Sequence, residues 1–135
     1  MSPSSLPEGY EVTDINTLKQ HEEVNREYLE QLKTEIDQDG LLKKAIIVDI
    51  NTLIILDGHH RFRAILEMEF AKIPVLKVDY NDPKIQVTAW REGEIVSKES
   101  VLEAGLKGKK LPVKTSRHTL PYEMEDIDFP LEELR

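Results

Sequence analysis

The sequence predicts one compact mixed α/β (α+β) domain, a small mixed sheet flanked by helices. Three observations predict it. Two apolar runs rich in β-branched residues, Ala45-Ile46-Ile47-Val48 and Leu53-Ile54-Ile55-Leu56, have strand length and flank a turn-like segment. Helical periodicity appears on both sides of that pair. The chain has 135 residues, enough for one core and too few for two.

In chain order, residues 1–8 lack the basic and apolar regions of a signal peptide and read as a short disordered arm. Tyr10 and Val12 mark a first short strand, and residues 14–18 a turn or short helical connection. After a loop over 19–24, Asn25 is placed to cap a helix whose apolar positions are Leu29, Leu32 and Ile36, and Gly40 ends it. The two apolar runs form a hairpin across Asp49-Ile50-Asn51-Thr52. A second helix follows Gly58, with Phe62, Ile65, Leu66 and Met68 as its apolar positions. Strands are expected at 73–80 and 85–90, and Ser97 caps a short helix running to about Gly105. Residues 112–118 read as loop. Residues 119–135 are acidic, yet Tyr122, Met124, Ile127, Phe129, Leu131 and Leu134 give this tail apolar groups to pack on the domain.

Composition narrows the function classes. No apolar run is long enough to span a membrane. Cysteine is absent, which removes disulfides, thiolate metal sites and cysteine nucleophiles and fits a cytoplasmic protein. A formal net charge of −8 argues against general affinity for nucleic acid. Lys107, Lys109, Lys110, Lys114 and Arg117 nevertheless lie in one stretch without acidic residues, either a solvated loop or a patch for a small polyanion.

Leu56-Asp57-Gly58-His59-His60-Arg61 carries the most chemistry. A buried strand delivers Asp57 to its end, and Gly58 permits a tight turn and close approach of a ligand. His59, His60 and Arg61 then occupy the first helical turn, where free N–H groups and the dipole attract anions. Arg61 adds a fork suited to phosphate, and Asp57 beside a polyphosphate can hold Mg²⁺ or accept a hydroxyl proton. The plain alternative is that Asp57 only caps the helix. Zinc on His59 and His60 is not expected, because adjacent residues diverge by roughly 100° on a helix.

Two further segments join it. In His21-Glu22-Glu23 a carboxylate either complements the helix N-terminus or serves as general base for a hydroxyl substrate, and the residues themselves leave Glu22 and Glu23 equivalent. Lys114-Thr115-Ser116-Arg117-His118 offers cations, hydroxyls and an imidazole to phosphate or carboxylate oxygens. All four histidines lie within these three segments.

Those blocks, in this order, resemble the ParB/sulfiredoxin superfamily, and more closely its archaeal free-serine kinases. The likeness extends over Val87-Thr88-Ala89-Trp90 and from Pro112 to the acidic end. It implies a ParB/sulfiredoxin-like fold and transfer of a phosphoryl group from ATP or ADP, with Mg²⁺, to the hydroxyl of L-serine, giving O-phospho-L-serine. Under that resemblance Glu22 is the base, and Asp57 assists catalysis or holds Mg²⁺. Gly58, His59, His60 and Arg61 hold the nucleotide phosphates. Lys114, Thr115, Arg117 and His118 bind the amino-acid carboxylate or the transferred group, and Trp90 lines the serine pocket. The connection from Arg91 to Leu111 is shorter than in longer relatives, and Ser116 stands where a second threonine is usual. The alternative within the superfamily is a non-catalytic nucleotide-binding or DNA-associated ParB-like module. The charge and the Asp-Gly-His-His-Arg motif, in place of a Glu-Arg-Arg type, count against it. Sulfiredoxin-like thiol repair would need a cysteine.

Overall fold

A computed structural model describes residues 6–7, 9–89, 96–108, 110–112, 116–120 and 124–135. The elements run β1 (Tyr10–Asp14), a 3-10 turn (Ile15–Thr17), α1 (Arg26–Asp39), β2 (Leu41–Leu42), β3 (Ile46–Asp49) and β4 (Ile55–Asp57). They continue with α2 (His59–Glu67), β5 (Lys72–Val78), β6 (Gln86–Ala89), α3 (Lys98–Lys107), β7 (Ser116–Thr119), β8 (Phe129–Pro130) and a second 3-10 turn (Leu131–Leu134).

The main sheet has the order β1-β5-β3-β4 and is mixed. β3 and β5 are parallel, joined through β4 and α2, while β1 and β4 are antiparallel to their neighbours. Successive strand residues face opposite sides. Ile46, Val48, Ile73 and Val75 therefore pack with Leu29 and Ile36 of α1, Phe62 and Ile65 of α2, and Phe129, Leu131 and Leu134. Ile47, Leu56, Leu76 and Val78 pack on the other side with Tyr80, Ile85 and Val101 of α3. Both faces are covered, which is why β3 reads as an unbroken apolar run rather than an alternating one. Each such side chain contributes roughly 1.5–3 kcal/mol by leaving water.

Local chemistry sets the helix ends. The Asn25 side chain accepts from the Tyr28 N–H at 3.0 Å, and Gly40 closes α1 in the left-handed region at φ 68°. Ser97 and Ser100 form a reciprocal capping box at α3. That helix continues past Gly105 to Lys107, because Gly105 is a buried contact with Ile54 rather than a terminator, and Gly108 ends it.

Two pairings depart from the sequence reading. The expected loop over 112–118 becomes strand β7 from Ser116 onward, paired antiparallel to β6 with Val87 opposite His118 and Thr88 opposite Arg117. Its polar residues carry no apolar alternation, so only the partner strand defines it. β2 and β8 form a second small ladder that ties the tail to the end of α1. Most of the 1–8 arm, and Tyr122 of the tail, lie outside the described residues.

Candidate active site

The site is built at the end of β4. Ile55 and Leu56 are buried, and Asp57 emerges exposed. The next residue, Gly58, takes φ 98° and is the N-cap of α2, with no side-chain hydrogen bond across the helix start. Among the described residues no hydrogen bond joins the Asp57 side chain to the first turn of α2, and the N-cap itself offers no side chain to its N–H groups. A side chain at Gly58 would collide with Ile46, its Cβ standing 2.7 Å from Ile46 Cγ2. The backbone can thus lie directly on β3.

The segment before α1 is laid against this junction. Lys19 N donates to Leu53 O at 2.9 Å, and Ile55 N donates to Lys19 O at 2.8 Å. Further on, Glu23 N donates to Leu111 O and Leu111 N to His21 O, both at 2.7 Å. His21 is fully buried, with Nδ1 2.7 Å from Ile55 O. A carbonyl can only accept, so Nδ1 carries a proton. Nε2 faces Glu22 Oε2 at 3.1 Å. Glu22 is 7% exposed, whereas Glu23 is exposed. Burial thus separates two carboxylates that the sequence alone leaves equivalent.

The α2 side chains staple this segment in place. His21 N donates to His59 Nε2 at 3.2 Å, and Asn25 N donates to His60 Nε2 at 2.9 Å. Arg61 turns back beneath the Gly58 turn, where Nη2 donates to Ala45 O at 3.3 Å and Nε is buried without a hydrogen-bond partner among the described residues. At the start of α2, then, the His59 and Arg61 side chains are engaged by His21 and by the Ala45 carbonyl.

Three of the four histidines converge. The rings of His21 and His59 meet edge-on at 4.5 Å, and His118 lies 6.1 Å from His21. Desolvation, reinforced by the nearby His21, pushes His59 down to about 3. Burial likewise lowers His118 to about 4, so both rings are neutral at pH 7. His118 Nε2 lies 2.8 Å from the Tyr80 hydroxyl. Arg117, next to it on β7, is exposed. Trp90, Lys114 and Thr115 lie outside the described residues.

Sequence reasoning assigned no role to His21 or Tyr80. The confinement of every histidine to three segments was the available signal for His21. Tyr80 carried none, since an aromatic just beyond a buried strand reads as core. Among the described residues, no group of three or more His, Asp or Glu is arranged to hold a metal ion.

Residues 10–92 match the ParB N-terminal domain family. The chain belongs to this family. Among relatives of this ParB N-terminal domain, an ATP-dependent L-serine kinase from Staphylothermus marinus is 32% identical over 94 residues, 67% of this chain and 37% of the relative. A second protein of that name, from Desulfurococcus mucosus, is 28% identical over 135 residues, covering 95% of this chain and 52% of the relative. The chain thus spans roughly a third to a half of the length of these curated relatives. A free serine kinase solved in complex with AMP superposes with a TM-score of 0.86 at 17% identity, over 100% of this chain and 97% of that one. At that identity the superposition establishes the fold.

Proposed function

We propose that this ParB N-terminal domain is a nucleotide-dependent phosphotransferase that phosphorylates free L-serine to O-phospho-L-serine. The observation that carries the reading is the stapling of a buried glutamate, Glu22, to the first turn of an uncapped anion-attracting helix through the His21–His59 hydrogen bond. Relatives named ATP-dependent L-serine kinase support it and favour ATP over ADP as donor.

In this reading the backbone N–H groups from Gly58 to Arg61 hold the nucleotide phosphates, and the helix dipole stabilises their charge. Glu22 takes the proton of the serine hydroxyl as its oxygen attacks the terminal phosphorus. The bond from that phosphorus to the bridging oxygen breaks, releasing ADP from ATP or AMP from ADP. Such chemistry relies on positioning and charge neutralisation more than on a strongly shifted base. Arg117, with Lys114, Thr115 and Trp90, would form the serine side. Asp57 fits Mg²⁺, which binds through one or two carboxylates plus substrate phosphates and supplies charge neutralisation there. An exposed carboxylate at the strand end suits that role, and no all-protein cage is needed.

The test is incubation of the protein with Mg²⁺, L-serine and either ATP or ADP, with assay of O-phosphoserine. Turnover is expected, and Glu22→Ala should reduce it about 10²–10⁴-fold without unfolding the chain. No product with either donor, while nucleotide still binds, would overturn the kinase reading in favour of a non-catalytic nucleotide-binding or DNA-associated module.

A further inference from the structure

His118 falls in a block whose sequence points to anion binding, yet both ring nitrogens turn into the protein. Nε2 faces the Tyr80 hydroxyl, and Nδ1 is buried beside the Leu56 backbone, among the described residues without a hydrogen bond of good geometry. Nδ1 is thus buried and Nε2 is engaged by Tyr80. The ring sits between Tyr80, whose centroid is 5.4 Å away, and His21.

Tyr80 is itself held rigidly. It is 2% exposed, its backbone N–H donates to the buried carboxylate of Asp49 at 3.0 Å, and Lys98 lies over its ring at 5.3 Å. Among the described residues the tyrosine hydroxyl has one hydrogen-bond partner, His118 Nε2. Burial raises the hydroxyl above its ordinary titration range, so the proton stays on oxygen and needs an acceptor. Nε2 is the available acceptor, which leaves the neutral ring protonated at Nδ1.

We propose that Tyr80 is a positioning residue that holds His118 as its Nδ1–H tautomer, and that the pair staples the antiparallel β6–β7 ladder to β4 beside the start of α2. The staple orients Arg117, the neighbouring residue on β7, rather than contacting substrate through His118. Its effect on catalysis rests on the serine-kinase reading, whereas the tautomer does not.

The experiment compares the wild-type chain with Tyr80→Phe, which keeps the ring and deletes the hydroxyl. In wild type at pH 7, ¹⁵N-detected NMR should show His118 Nε2 as an unprotonated, hydrogen-bonded acceptor and Nδ1 as protonated. In the Tyr80→Phe variant the Nε2 resonance should shift as the acceptor bond is lost. Serine phosphorylation should fall about tenfold in kcat, with KM for ATP changed by less than about twofold, as expected for misalignment away from the nucleotide. His118→Gln, whose amide oxygen can still accept from Tyr80, should retain more turnover than His118→Ala. A protonated Nε2 in wild type, or an unchanged Nε2 resonance and kcat in Tyr80→Phe, would overturn the proposal. Because the tautomer is read without turnover, an inactive wild-type protein would sink the kinase assignment and leave the staple to be judged on NMR.

Discussion

Replacing three glycines by alanine separates two costs that coincide at the β4–α2 junction. Gly40 has φ +68° and nothing within 4 Å of where an added Cβ would stand, so Gly40→Ala meets only the left-handed backbone penalty, roughly 1–2 kcal/mol. Gly105 has no such φ, but its Cβ would stand 2.7 Å from Ile54 Cδ1 and Cγ1. Overpacking there costs about 1–3 kcal/mol, partly offset by the roughly 1 kcal/mol that alanine gains over glycine inside a helix. Gly58→Ala suffers both effects, with φ +98° and a Cβ 3.0 Å from Ile46 Cβ, an atom fixed by the backbone of β3 that cannot swing aside. The expected loss is about 2–5 kcal/mol, the largest of the three. Urea unfolding followed by circular dichroism measures each midpoint, with the slope checked for constancy. A Gly58→Ala variant no less stable than Gly40→Ala would refute the reasoning, because it would mean that β3 yields freely beneath the turn.

Stability should depend on pH through His59 and His118. Their folded values are lowered to about 3 and about 4, so as pH falls below the ordinary histidine value of about 6.5 the unfolded chain takes up protons first. The stabilisation from neutral burial is complete above pH ~6.5 and declines toward pH ~4, by up to about 1.4 kcal/mol per pH unit for each ring. Urea midpoints at pH 7, 6 and 5 read this directly, and a flat or rising trend toward pH 5 would contradict it. Asp49→Ala removes the acceptor of Thr52 N, Thr52 Oγ1 and Tyr80 N, bonded at 3.1, 2.7 and 3.0 Å. Stranding those donors should cost on the order of 3 kcal/mol in thermal or urea unfolding, and a loss below about 1 kcal/mol would show that solvent replaces the carboxylate.

Much of the fold was legible because its signals are local. Asn25 and Ser97 cap helices through bonds to residues three positions on, and Gly40 ends α1 by its own conformational freedom. The β3–β4 hairpin follows from two apolar runs flanking an Asp-Ile-Asn-Thr turn, in which Asp49 accepts from Thr52. The strand–glycine–helix junction at Asp57 and Gly58 was likewise written in consecutive residues, and the family to which residues 10–92 belong was readable from that motif and its companions. Tertiary structure alone decided the rest. β7 exists because β6 supplies its partner, and its polar sequence holds no period to announce it. Glu22 is buried and Glu23 exposed because their segment is pinned between Leu53–Ile55 and Leu111, which are distant in the chain. The two α2 histidines became staples, and His118 came to face Tyr80, for the same reason. Capping and periodicity act over one or two helical turns, whereas the protonation and reach of a buried group depend on which distant backbone folds over it.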